Sequence, residues 1–147
     1  MNLKDQLQSD LKDAMRAGDV LLKNTLRMAI SAIKLAEIEK HSPLDENAVL
    51  AVIQKEVKSR REAIADAERA GRPDLIQAAE QEISLLERYL PKALDPAELE
   101  MLARQAIQET GATSLKEMGQ VMKILMPKLQ GRATGDQASQ VVRRLLA

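Results

Sequence analysis

Few residues of this chain are suited to covalent or metal chemistry. It has no cysteine, and its single histidine, His41, precedes Ser42-Pro43, where a loop is expected. The serines have no histidine or aspartate at a spacing typical of an activated nucleophile. Glu80 and Glu82 are two residues apart and so face different sides of a helix. Since nucleotide-binding glycine motifs are also absent, we predict no catalytic residue, no metal site and no cofactor.

The segment from Glu117 to Leu146 has residues for another chemistry, the binding of an anion. Three glycines and a proline interrupt helix-forming sequence there, and six basic residues against two acidic ones follow Gly111. Glycines at positions 131 and 135 allow a turn with positive φ, and they leave N–H groups exposed at the start of a helix, where phosphates bind. The candidate contacts are Lys116, Lys123, Lys128, Gly131, Arg132, Gly135, Arg143 and Arg144.

Two other interpretations of this segment stay open. Caps and turns alone account for the glycines, and the basic residues are also typical of a solvated surface. Met118, Met122 and Met126, spaced four residues apart, indicate the buried side of a helix, although methionine also suits a docking surface for a partner protein. Because the segment has no aromatic residue, a nucleic acid would be recognised by shape and phosphates rather than by base stacking.

The elements that must position these residues are all predicted to be helices. Tyr89 is the only aromatic residue, so the core must consist of Leu, Ile, Val, Met and Ala, which favours helix packing. Apolar residues recur at helical spacing in seven segments. The first six are expected to stop at Gly18, Pro43, Gly71, Pro91, Gly111 and Pro127. Pro127 either ends the sixth helix or kinks it. Asp136 is the expected N-cap of the seventh helix.

These helices fall into two groups. Four fill residues 1–91, where short links favour antiparallel neighbours, and the third has Glu56–Arg60 and Lys58–Glu62 pairs on its exposed side. Pro91–Pro96 marks a boundary, and three shorter helices fill residues 95–147, a size at which a lone core is marginally stable. We predict an all-α protein with an N-terminal helical hairpin or bundle and a small C-terminal three-helix domain.

The composition also bears on the compartment. No segment has the apolar run of a signal peptide or the length of a membrane span, and the absence of cysteine fits a reducing environment. We therefore expect a cytoplasmic protein that does not associate with membranes.

Three runs of sequence together resemble one known family. They are TLRMAISAIKLAEIE (25–39), VLAVIQKEVKSRREAI (49–64), and MGQVMKILMPKLQGRATG followed by VVRRLL. These runs are similar, in order and at compatible spacing, to the blocks of the GatB/YqeY proteins, and the resemblance spans essentially the whole chain. Within the matching C-terminal motif fall Gly119, Lys128, Gly131, Arg132 and Gly135.

The resemblance implies a large N-terminal helical part and a small three-helix C-terminal part. The same domain forms the tail of the GatB component of the glutamyl-tRNA(Gln)/aspartyl-tRNA(Asn) amidotransferase, and a similar one is appended to some glutaminyl-tRNA synthetases. There it engages tRNA as an accessory to an enzyme located elsewhere. Thr134-Gly135-Asp136 departs slightly from the Asp-Gly often seen in the motif.

Three functions follow as hypotheses. The first is a tRNA-binding accessory protein that contacts phosphates through its C-terminal domain. The second is a protein-interaction module that docks to a translation or tRNA-modifying enzyme through the methionine-bearing helix. The third is the glutamine-dependent carbon–nitrogen ligase activity with which the family is labelled. Since the chain has no counterpart of the amidotransferase catalytic cradle, we expect no catalysis by this chain alone and tRNA as its partner.

Overall fold

The computed structural model describes residues 2–147, and every regular element in that range is helical. The prediction of an all-α fold is therefore confirmed. A short 3-10 helix, Leu115–Glu117, precedes the sixth α-helix. The α-helices are α1 (Leu3–Ala17), α2 (Val20–Lys40), α3 (Glu46–Ala70), α4 (Pro73–Glu87), α5 (Pro96–Thr110), α6 (Met118–Leu129) and α7 (Gly135–Leu146).

The chain divides into two compact units, the first ending at Leu90 and the second beginning at Pro91. In the first unit α1 to α4 enclose a core whose fully buried side chains include Leu7, Leu26, Ile33, Ile53 and Leu86. In the second unit α5 to α7 enclose another core, which includes Ala103, Val121, Leu125, Leu129 and Val142. The two cores share no residue. Within residues 2–147, no helix combines the length and apolarity needed to cross a bilayer.

Side-chain caps begin several helices at the residues that the sequence predicts. Asp19, Asp45 and Asp95 each accept a hydrogen bond from the backbone N–H three residues later, at 2.8–3.1 Å. Each carboxylate satisfies a donor that has no partner within the helix and lies at the positive end of the helix dipole. These local interactions set the starts of α2, α3 and α5.

In the second unit, one of the two alternatives predicted at Pro127 is excluded, and the predicted cap of α7 is wrong. α6 does not end at Pro127 but continues to Leu129, whose side chain is fully buried beside that of Leu125. Burial of this last turn offsets the backbone hydrogen bond that proline removes. α7 is capped by Thr134 rather than Asp136. The Thr134 hydroxyl accepts from the Gln137 N–H at 3.1 Å, while the Gln137 amide oxygen accepts from the Thr134 N–H at 2.9 Å.

Tyr89 occupies a polar position in the first unit. Its hydroxyl donates to Asp10 Oδ2 at 2.5 Å, and Gln6 Nε2 donates to the other Asp10 oxygen at 2.8 Å. Burial raises the pKa of Tyr89 well above its ordinary value of 10.0, and the hydrogen bond to the Asp10 carboxylate raises it further. The fold therefore favours the neutral phenol.

The hydrogen bond between Tyr89 and Asp10 predicts that the protein loses stability at alkaline pH. Because the folded state raises the pKa of Tyr89, the stability contributed by the phenol is complete below pH 10.0 and declines as pH rises above that value. Tyr89 is the only aromatic residue, so tyrosinate absorbance in a pH titration reports this one group. We expect its ionisation to coincide with unfolding, and Tyr89→Phe to reduce the alkaline slope of the free energy of unfolding. Ionisation at the ordinary pKa in protein that remains helical would contradict the assignment.

Candidate nucleic-acid interface

The predicted basic residues lie on the outside of the second unit. α6 buries Val121, Leu125 and Leu129 at a spacing of four residues, and this leaves Lys123 exposed. α7 buries Val142 and Leu146 in the same way. The other basic side chains lie on the 3-10 helix (Lys116), near the end of α6 (Lys128), in the α6–α7 link (Arg132) and in the last turn of α7 (Arg143, Arg144).

Three of the six cations form ion pairs, and all three acidic partners belong to α5. Lys128 Nζ lies 2.5 Å from Glu109 Oε1, Arg132 Nη2 lies 3.4 Å from Glu98 Oε2, and Arg144 Nη1 lies 3.3 Å from Glu100 Oε1. The Glu100 carboxylate also pairs with Arg104 at 3.1 Å. The hydrogen bond from Arg104 and the charge of Arg144 lower the pKa of Glu100. These carboxylates neutralise part of the positive charge that the sequence places here.

Arg132 has a further contact that is structural. Its Nε donates to the Lys92 carbonyl oxygen at 2.9 Å, and its own carbonyl oxygen accepts from the Leu94 N–H at 2.9 Å. Through these bonds and the Glu98 pair, Arg132 joins the α6–α7 link to the segment before α5. Its guanidinium is therefore already engaged by the protein.

The paired cations do not converge on one point. Glu98 and Glu109 are 11 residues apart on α5, which corresponds to about 16 Å along the helix axis. Arg132 and Lys128 thus contact carboxylates near opposite ends of α5. A single compact anion site built on these two residues does not match this arrangement.

Lys116, Lys123 and Arg143 differ from the other three cations. All three are exposed, and none forms an ion pair with any residue in the described range 2–147. A phosphate that approaches them would displace only water and salt ions. They are therefore the predicted contacts whose charge is most available.

The glycine turn differs in part from its prediction. Gly131 has a φ of 75° and Gln130 one of 50°, whereas Gly135 is the first residue of α7 and has no positive φ. The capping box already uses the N–H of Gln137, and Asp136 places a carboxylate in the first turn of α7. Both features compete with an anion for the positive end of this helix.

The methionines of α6 divide between core and surface. Met118 and Met122 pack against the core of the second unit, as the helical spacing indicates, while Met126 is exposed. Elsewhere, His41 ends α2 in the left-handed conformation with an exposed side chain, and Glu82 pairs with Arg60. Across the part of the chain that the structure describes, no group of three or more potential metal ligands comes together.

These features define a small helical protein of two units, the second of which carries three exposed cations without ion-pair partners in the described range. The model of the YqeY-like protein family matches residues 4–146, so the chain belongs to that family. Among its curated relatives is altered inheritance of mitochondria protein 41, mitochondrial. The protein of that name from Eremothecium gossypii is 40% identical over 101 residues, which are 68% of this chain and 55% of the relative. Its namesake from Kluyveromyces lactis is 38% identical over 112 residues, which are 76% of this chain and 59% of the relative.

The chain spans between about half and two thirds of the length of these relatives. Their names place them in mitochondria, so the expected cytoplasmic location is wrong by this comparison. The prediction failed because amino-acid composition distinguishes a membrane from an aqueous environment, but not one aqueous compartment from another. The absence of cysteine and of a long apolar run does not distinguish one compartment from another.

Proposed function

We propose that this protein is a tRNA-binding accessory factor that contacts the RNA backbone through its second unit. The observation that carries the proposal is the set of three exposed cations without ion-pair partners in the described range, Lys116, Lys123 and Arg143. Membership of the YqeY-like family supports the proposal. The tail domain of GatB, which this chain resembles, engages tRNA as an accessory to an enzyme. The second unit has no aromatic residue, so the RNA is held by phosphate contacts rather than by stacking.

The ion pairs with α5 divide the predicted phosphate contacts into cations that are already paired and cations that are not. A phosphate that binds Lys128, Arg132 or Arg144 must compete with Glu109, Glu98 or Glu100 for the same side chain. A phosphate that binds one of the three unpaired cations releases counterions without this competition. We therefore assign most of the electrostatic binding free energy to Lys116, Lys123 and Arg143.

The ranking predicts a change in the salt dependence of tRNA binding. We expect the slope of log K against log salt to become shallower by about 0.9 for each duplex phosphate contact that is lost. The variant is Lys116→Ala with Lys123→Ala and Arg143→Ala, and the measurement is filter binding of tRNA over a salt series. Arg132→Ala is unsuitable for this test because it also releases the segment before α5.

A matched control removes the same charge from the first unit. Lys12, Lys40 and Lys55 are exposed and form no ion pair with residues 2–147, so their replacement by alanine leaves the second unit unchanged. The proposal requires the control to keep the wild-type slope. It fails if the two triple variants lose the same slope, or if the wild-type protein binds tRNA without salt dependence.

A further inference from the structure

The outer face of α2 carries large apolar side chains that its own unit does not cover. Leu26, Ile30 and Ile33 lie in the core of the first unit, on the other side of the helix. The apolar members of the outer face are between 55% and 68% exposed, and they are Val20, Met28, Leu35 and Ile38. At 100° per residue they fall within an arc of about 80°, and they extend about 27 Å along the helix. They form a row along this face that is interrupted by two exposed polar residues, Asn24 and Ser31.

Cations border this row on one edge only. Lys23, Arg27 and Lys34 occupy the adjoining arc of about 40° on α2. Arg27 and Lys34 are exposed, and none of the three forms an ion pair in the described part of the chain. At the start of the row, a cavity of about 160 Å³ is lined by residues of both kinds, including Met15, Val20, Lys23 and Arg27.

The other edge of the row is next to a cluster with net negative charge. Met28 Sδ lies 3.6 Å from Nη2 of the buried Arg60. That guanidinium pairs with two carboxylates, Glu56 at 2.8 Å and Glu82 at 2.7 Å. The outer face of α2 is therefore cationic on one side, apolar in the middle and weakly anionic beyond.

We propose that the outer face of α2 docks an amphipathic helix of another protein. The apolar stripe of that helix covers Val20, Met28, Leu35 and Ile38, and its acidic edge lies against Lys23, Arg27 and Lys34. In such a partner helix the apolar anchors recur every three or four residues. Charges on the edges set the direction and the choice of partner.

The charge pattern favours this occupant over two others. A bilayer surface is uniform and suits cations on both edges of an apolar face, whereas here carboxylates lie beyond one edge. In a second copy of this chain, the two carboxylates next to the row, Glu56 and Glu82, are already held by Arg60. A partner helix with acidic residues along one side complements both the apolar row and the three cations.

A synthetic helical peptide with a leucine stripe and glutamates along one edge is the probe. We expect the full chain to bind it, as measured by fluorescence anisotropy, and Arg27→Glu with Lys34→Glu to weaken binding about tenfold. A matched peptide with lysines in place of the glutamates should bind this charge-reversed variant and not the wild type. Leu35→Ser with Ile38→Ser should abolish binding of both peptides. Circular dichroism of each variant confirms that the fold is kept.

The same variants distinguish the other occupants. The proposal is overturned if the wild type does not bind the glutamate peptide, or if the charge-reversed variant does not prefer the lysine peptide. It is also overturned if phosphatidylglycerol vesicles bind the wild type and compete with the peptide, or if sedimentation shows a dimer that Leu35→Ser with Ile38→Ser dissociates. The tRNA salt slope stays unchanged in these variants, so this test is independent of the RNA proposal.

Discussion

Arg60→Ala is expected to lower the free energy of unfolding of the first unit by about 2–4 kcal/mol. The Arg60 side chain is only 7% exposed and joins Glu56 on α3 to Glu82 on α4. Its removal leaves two carboxylates facing each other in a partly desolvated position and opens a cavity between the helices. We place the value below that of a fully buried pair because both carboxylates keep some contact with water. Urea denaturation followed by circular dichroism measures the loss.

The neighbouring residue provides the control. Arg61 pairs with Glu87 at 2.7 Å, also between α3 and α4, but its side chain is 62% exposed. Since surface ion pairs contribute about 0–1 kcal/mol, Arg61→Ala should have a small effect. Equal losses for the two variants would show that the Arg60 cluster contributes no more than a surface pair. The comparison holds the residue type and the pair of helices constant, while the two arginines differ in burial and in whether they pair with one carboxylate or two.

Leu125→Ala is expected to remove about 2–5 kcal/mol from the stability of the second unit. Leu125 is fully buried among α5, α6 and α7, and a cavity there has few ways to collapse. The second unit has 57 residues, for which a total stability of about 3–8 kcal/mol is typical. The variant should therefore lose much of the helical signal of α5 to α7 and, under the proposed function, most of its binding of tRNA. Hydrogen exchange of the amides in these helices measures the effect directly.

Two internal controls accompany this variant. Leu115 belongs to the same unit but is 47% exposed, so Leu115→Ala should change stability by about 0.5 kcal/mol or less. Tyr89 belongs to the first unit, whose core shares no residue with the second, so its absorbance should keep the wild-type transition. A Leu125→Ala protein that matches Leu115→Ala in hydrogen exchange would contradict the assignment of Leu125 to the core.

Local patterns predicted most of the helices. α2 begins after Asp19 as expected, because the aspartate accepts from an N–H only three residues away. The sequence left open whether Pro127 ends or kinks its helix, because the cost of a proline inside a helix is local, whereas the burial of Leu129 that offsets it depends on the packed unit. Thr134 was missed although Gln137 stands three residues later, a spacing typical of a capping box.

Arg60 shows where a charge pattern was misleading. The sequence predicted an exposed Glu56–Arg60 pair, because oppositely charged residues four apart usually lie on the solvent side of a helix. The structure buries Arg60, and this prediction is wrong. A signal was present in the spacing, since Arg60 follows the buried residues Val49, Ile53 and Val57 on one helical stripe. The ion pair with Glu82, a residue of a different helix, offsets the cost of burying the Arg60 charge.

The amino-acid sequence by itself determined the helical class of this protein, the approximate positions of the seven α-helices in residues 2–147 and the basic character of its C-terminal segment. Those features depend on periodicity, caps and charge among residues within a few positions of one another. Only the tertiary structure decided which cations remain available to a phosphate. Lys128 and Arg132 meet their carboxylates 19 and 34 residues away, and such pairs form only when α5 packs beside α6 and its link to α7.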